Sequence, residues 1–267
     1  MNLFKHLGVA DAQGVSGGCI HRCYRATLKG RRVFLKANEA RFADAFAAEA
    51  DGLSALRAAG CTAPEPISHG AVAGEAYLLM EFLELRSRGD YSALGRMLAR
   101  VHEAHGGEFG WPRNNYIGST PQPNSRSASW ADFWREQRMA PQLALAKRNG
   151  FAIDIGSACD LLQGHDPAPS LLHGDLWGGN AGFLANGAPV LFDPAVYYGD
   201  READLAMTEL FGGFPRAFYS AYGPLPAGYE TRKHLYNLYH LLNHLNLFGA
   251  GYLGQVKATL GLLARAL

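Results

Sequence analysis

Two aspartates and an asparagine, spaced along one short stretch of this chain, can between them do a specific kind of chemistry. Residues 171–194 read LLHGDLWGGNAGFLANGAPVLFDP, with Asp175 after an apolar pair, Asn180 five residues on and Asp193 closing a second apolar run. Kinase-type phosphoryl transfer needs such a set: one carboxylate to receive a hydroxyl proton, and an amide oxygen plus a second carboxylate to hold magnesium. The residues between them say how the three could meet. Residues 183–184 and 190–192 read as short apolar strands, and Asn186 and Gly187 form a hairpin signal, because both tolerate positive φ. A hairpin there lets Asn180 and Asp193 face one ion.

The elements that must bring ATP to this stretch lie upstream. Residues 14–37 (GVSGGCIHRCYRATLKGRRVFLKA) read as a glycine-rich turn, a strand, a tight turn at Lys29 and Gly30, and a second strand ending near Lys36. Without a Cβ, Gly14, Gly17 and Gly18 let backbone N–H groups come close to a phosphate, though the run is neither a Walker motif nor GxGxxG. In ARFADAFAAEADGLSALRAAG (40–60), Phe42, Phe46, Leu53 and Leu56 recur at helical spacing, with Gly60 as the stop. Glu49 falls inside this apolar stripe, while Asp44 and Asp51 fall off it. A lone carboxylate there is costly unless paired, and Lys36 on the preceding strand is its natural partner. A Lys–Glu pair of this kind holds the lysine on the α- and β-phosphates in kinases. Residues 75–85 (EAYLLMEFLEL) read as a third strand. It leads into Glu81, Phe82 and Leu83, either a hinge whose backbone could pair with adenine or an ordinary edge strand.

Helical patterns dominate from residue 91. Leu94, Met97, Leu98 and Val101 share one helix face. Ser129, with Asp132 three residues later, signs a capping box. Between them, residues 109–129 form a polar loop long enough for a substrate-side flap. Leu235, Leu238, Leu242 and Leu245 form a core stripe. His240 and His244 are four apart, but no third ligand stands at zinc spacing, so packing or substrate contact is the better reading. Trp177, two residues past Asp175, either stacks on a sugar-like substrate or packs in the core.

Composition narrows the classes. The 267 residues suffice for two lobes, divided here as an N-lobe at 1–83 and a C-lobe at 84–267. Net charge is +1 with no Lys/Arg run, which leaves a nucleic-acid partner no electrostatic footprint. No apolar stretch reaches membrane-span length and no signal-peptide core opens the chain. Four cysteines without a CxxC pair indicate reduced thiols and a cytoplasmic protein.

The motifs together resemble the fructosamine kinase (ketosamine 3-kinase) family, within the aminoglycoside phosphotransferase and choline kinase group. The GGCI turn, HGDLWGGN, FDPAVYYGDREADLAMTELFGGF and LYHLLNHLNLFGAGY carry the likeness from about Gly14 to Tyr252. It implies an α+β, two-lobed protein-kinase-like fold: a small antiparallel N-lobe sheet with one helix, and a larger, mainly helical C-lobe. It also implies ATP- and Mg2+-dependent phosphorylation of the 3-hydroxyl of a small-molecule or protein-bound ketosamine. By the same likeness the proton acceptor falls on Asp175 and the metal ligands on Asn180 and Asp193. The nucleotide lysine falls on Lys36, the helix glutamate on Glu49 and the hinge on Glu81, Phe82 and Leu83. The likeness reaches Cys19 of the GGCI turn, either a redox-responsive thiol or a small anchor.

Two features favour a small-molecule substrate without the family. Only six residues separate Asp193 from Asp200, too few for a phosphorylatable activation segment. Gly174 also stands where protein kinases carry the arginine of HRD. Asp200 reads as a helix cap and Asp204 as a support for the catalytic loop. The alternatives are a kinase of an aminoglycoside, amino alcohol or sugar on the same fold, and a nucleotide-binding module without catalysis. The second would predict loss of Asp175, Asn180 or Asp193, and all three are present.

Overall fold

The structure, a computed structural model, describes residues 3–15 and 20–266. The expectations for Gly17, Gly18 and Cys19 lie outside the described residues. Five strands, β1 (Val9–Val15), β2 (Arg22–Leu28), β3 (Arg31–Glu39), β4 (Pro66–Val72) and β5 (Glu75–Glu81), form one antiparallel sheet in the order β1-β2-β3-β5-β4. The turn between β2 and β3 is the expected two-residue one, with both Lys29 (φ 49°) and Gly30 (φ 79°) left-handed. Along β3 the side chains alternate. Val33, Leu35 and Ala37 pack with Leu79 and with Leu3 of helix α1 (Leu3–Leu7), while Phe34 and Lys36 face the other side. Strand β5 is an inner strand, between β3 and β4, so the edge-strand reading fails.

On that other side lies α2 (Ala43–Ala58), which buries Phe46, Leu53 and Leu56 against Leu78 and Met80. Gly60 (φ 84°) ends it as expected, with Cys61 N–H donating to Leu56 O at 2.9 Å and Gly60 N–H to Arg57 O at 3.0 Å. The helical part begins with α3 (Tyr91–His102), opened by Asp90, whose carboxylate accepts from Ala93 N at 2.9 Å. Next, α4 (Trp130–Phe133) runs through a π-helical stretch, Trp134–Met139, into α5 (Ala140–Arg148). The wide turn precedes Pro141, which can donate no helical bond. Ser129 Oγ accepts from Asp132 N at 3.2 Å, but the box stays half-made. Ser129 N donates to Ser127 Oγ at 3.1 Å, and the Asp132 carboxylate takes Arg135 at 3.1 Å instead.

The last helices are α6 (Glu202–Leu210), α7 (Arg216–Tyr222), α8 (Tyr229–Phe248) and α9 (Leu253–Leu263). Helix α8 buries the expected Leu235, Leu238, Leu242 and Leu245. One apolar cluster runs from Phe46 and Leu78 through Leu94 and Leu98 to Leu176 and Leu205, so sheet and helices share a core.

Residues 109–129 are not a flap. They contain a hairpin, β6 (Asn115–Ile117) with β7 (Thr120–Gln122), sealed by side-chain amides. Asn115 donates to Val196 O at 2.7 Å, and Gln122 donates to Asn115 Oδ1 at 2.8 Å and to Ala195 O at 3.2 Å. Asn124 adds a bond to Asn115 Oδ1 at 2.9 Å, and Tyr239 Oη donates to Gln122 Oε1 at 2.6 Å. The same segment reaches the sheet side: Trp111 Nε1 donates to Asp51 at 2.7 Å and Arg113 pairs with Asp44 at 2.6 Å.

Candidate active site

Short strands carry the site. β8 (Ser170–Leu172) pairs with β11 (Tyr197–Gly199), and β9 (Ala181–Phe183) pairs with β10 (Pro189–Leu191) in the register Ala181↔Leu191. The β9–β10 turn is longer than an Asn–Gly pair would give. Leu184 and Ala188 close it through a 2.9 Å bond, and of its residues only Gly187 (φ 84°) is left-handed. Phe192 N–H donates to Asn180 O at 3.1 Å, which sets Asp193 beside Asn180.

Between β8 and Asp175 the backbone is held from below. Asp204, buried on α6, accepts from His173 N at 2.7 Å and Gly174 N at 2.8 Å, and from His102 Nε2 at 3.1 Å. Burial pushes its carboxyl up, but the bond and charge of His102, with His173 and the Gly174 N–H, outweigh burial and hold it below the usual aspartate range. The expected support of the catalytic loop is therefore present. His173 Nδ1 accepts from Asp175 N at 3.3 Å and its Nε2 lies 3.0 Å from Phe192 O, so the ring is neutral with its proton on Nε2. Gly174 has φ 82°, and a Cβ built there would lie 2.1 Å from Ala195 O. No arginine, nor any side chain, fits that position.

Asp175 stands above this platform, its side chain 22% exposed. Asn180 Nδ2 donates to Asp175 O at 2.8 Å and Oδ2 at 3.1 Å and does not bond Oδ1. Burial, with the charge of Asp193, pushes Asp175 up to about 7, and the Asn180 bond offsets part of this. Asp193 has φ 56°, a conformation that few non-glycine residues adopt. Its carboxylate, 46% exposed, bonds Lys36, and Lys36 also pairs with Glu49 at 2.7 Å. Both charges overcome burial and hold the lysine ammonium well above its usual range. Burial also pushes the Asp193 carboxyl up, but Lys36 more than compensates and holds it below the usual range. Lys36 with Glu49 and Asp193, and Asp175 with Asn180, thus form two bonded sets, which the Phe192–Asn180 backbone bond brings side by side. Asn180 and Asp193 offer the hard oxygen donors that magnesium takes.

Glu81 ends the β5 ladder, and Phe82 carries the Arg32 guanidinium 5.0 Å over its ring. A few residues on, Arg86 bridges Phe183 through bonds of 2.8 and 2.9 Å, so residues 81–83 lead directly onto the β9–β10 hairpin. Trp177 is 39% exposed, which removes the core-packing alternative. It begins an aromatic line that sequence reading did not find: Phe211 lies edge-on to it at 6.1 Å, and His244 lies 4.8 Å from Phe211. His244 Nδ1 donates to His240 O at 2.8 Å and His240 faces Asp175, and among the described residues neither belongs to a group of three or more metal-type ligands. Among the described residues the one cluster with metal-like spacing is His165, Asp200 and Glu202, outside this group. Its atoms are already engaged. Tyr236 Oη donates to Asp200 at 2.6 Å, and Arg232 grips Glu202 at 2.7 and 2.8 Å.

Fold and site together define a two-lobed, kinase-like phosphotransferase. The chain belongs to the fructosamine kinase family: the model of the family described as fructosamine kinase matches residues 2–265. It is 48% identical to a probable ketoamine kinase of Synechocystis sp., over 94% of this chain and 90% of that one. It is 41% identical to the chloroplastic protein-ribulosamine 3-kinase of Arabidopsis thaliana, over 89% of this chain and 78% of that one. Among solved structures it superimposes on a provisionally named fructosamine-3-kinase of Haemophilus somnus 129PT with a TM-score of 0.89. The two share 29% identity, over 98% and 95% of the respective chains.

Proposed function

We propose that this protein is an ATP- and Mg2+-dependent ketosamine 3-kinase. In this reading it phosphorylates the 3-hydroxyl of ribulosamine, erythrulosamine or fructosamine adducts, on free amines or protein lysines, as a deglycation step. The observation that carries the reading is the pair of adjoining sets: Asp175 tied to Asn180, and Lys36 shared between Glu49 and Asp193. The names of the Synechocystis and Arabidopsis relatives point to the ketoamine class.

Each residue then has a part. Asp175 Oδ1, the oxygen Asn180 leaves free, accepts the proton of the acceptor hydroxyl as that oxygen bonds phosphorus. Burial raises its carboxyl, the direction that favours a base, and magnesium on Asp193 would remove that neighbour's share of the rise. Asn180 and Asp193 would hold magnesium, which offsets phosphate charge when bound. Lys36, fixed by Glu49, supplies positive charge to the nucleotide phosphates. Glu81, Phe82 and Leu83 form the hinge at the 83/84 boundary between the two lobes, and Trp177 offers a ring face to the sugar. Among the described residues no helix is long and apolar enough to cross a membrane, and Cys23, Cys61 and Cys159 are free thiols. The free thiols support a cytoplasmic enzyme.

The alternative of an aminoglycoside acceptor, a polycation, would call for acids to spare in the cleft. Glu49 and Asp193 are instead paired with Lys36, and Asp175 with Asn180. Incubation with Mg-ATP and ribulose-, erythrulose- or fructose-lysine, with kanamycin as control, tests the reading. Phosphorylation of a ketosamine and not of kanamycin is expected; the reverse would overturn it.

A further inference from the structure

One buried ring nitrogen at the site has no hydrogen-bond partner. His240, on α8, is 4% exposed, and its Nδ1 is buried without any hydrogen bond. Burial pushes its pKa down to about 3, so the ring is neutral at working pH. A buried ring nitrogen left without a partner is costly, and proteins seldom keep one without a use. The nearest charged group is Asp175: Nδ1 lies 4.0 Å from Oδ1, the oxygen that Asn180 does not take. That gap is too long for a direct bond and suits one shared oxygen. An oxygen about 2.8 Å from both atoms would see them roughly 90° apart, within reach of an acceptor lone pair and a donated proton.

We propose that His240 is a substrate-positioning residue, its Nδ1–H donating to the acceptor hydroxyl oxygen while that hydroxyl donates to Asp175 Oδ1. The tautomer follows from proton counting. The hydroxyl has one proton, which goes to Asp175, so His240 must donate. A second lone pair of the same oxygen then stays free for phosphorus. The ring is held for this task by its helix. Tyr239 is anchored to Gln122 at 2.6 Å, Tyr236 to Asp200 at 2.6 Å, and Leu241 and Leu242 are buried. Donation from a fixed N–H would stabilise the negative charge that grows on the oxygen during transfer. The proposal rests on Asp175 being the proton acceptor.

The test compares His240→Asn, His240→Gln and His240→Leu. An asparagine amide reaches about as far as imidazole Nδ1, a glutamine amide about as far as Nε2, and leucine offers no polar atom. His240→Asn is expected to keep kcat with ribulose-lysine within about threefold of the parent. Gln and Leu should lower it on the order of 10- to 100-fold, as for a misplaced reacting group. The KM for ATP should stay unchanged in all three. Gln as active as Asn, or Leu equal to the parent, would overturn the proposal. Should Leu fail to fold, the Asn-to-Gln ratio decides alone. The parent's own turnover tests the ketosamine reading separately. If another alcohol proves to be the substrate, the same ratios are measured with it.

Discussion

At the scale of single residues, two buried groups differ in how they respond to change. Asp204 accepts two backbone N–H groups and His102, so Asp204→Ala strands buried donors. A loss of roughly 3–5 kcal/mol is expected. Its pH signature has a definite sign. Because the folded carboxyl is held below the usual range, the unfolded chain takes up the proton first, and the contribution is lost as pH falls through and below the ordinary aspartate value. Denaturant melts of parent and variant should therefore converge below about pH 4 and separate above it. A gap that did not change with pH would contradict the assignment. Lys36 and Glu49 behave as a pair, linked at 2.7 Å, the lysine buried and the glutamate largely so. Lys36→Met and Glu49→Ala should each depress turnover, and the double variant should lose much less than the product of the two. Additive losses would mean that the pair does not act as one.

At the scale of elements, packing clearance sets what can change. Helices α3 and α7 meet at Gly95, where a Cβ would lie 2.3 Å from Phe218 O, a backbone atom that cannot swing aside. Gly95→Ala should cost about 1–3 kcal/mol in thermal or denaturant melts, yet leave turnover per folded molecule near the parent's. An unchanged midpoint would show that the helices separate freely. This scale also shows what the sequence could and could not reveal. The Lys36–Glu49 meeting was legible because a period of two on β3 and of 3.6 on α2 turn those side chains toward each other. β1 and β4 were not. Their patterns, VADAQGV and PISHGAV, carry few apolar residues, and their place comes from pairing with neighbours. The segment 109–129 looked like a flap because it is polar. Its order comes from Asn115 and Gln122 bonding to a backbone some 70 to 80 residues away, with Asn124 tied to the Asn115 side chain, which no local pattern encodes.

At the scale of the molecule, the site is a meeting of parts. The sheet and α2 bring Lys36 and Glu49, the short hairpin brings Asn180 and Asp193, and α8 brings His240 to Asp175. The 109–129 segment ties α2 to the helical part through Asp51 and Asp44, and Gly52 of α2 packs on Pro194 and Val196. The helix bearing Glu49 is therefore held in place without the long activation segment that the sequence lacks. In the proposed function, Asp175 is the group on which the chemistry turns. Asp175→Asn keeps the shape, and so should keep Mg-ATP binding, but removes the proton acceptor. The most direct measurement is ketosamine turnover by this variant beside its ATP affinity by calorimetry. Turnover should fall by roughly 10²- to 10⁴-fold while ATP affinity stays within a few-fold of the parent's. Near-normal turnover would contradict the account.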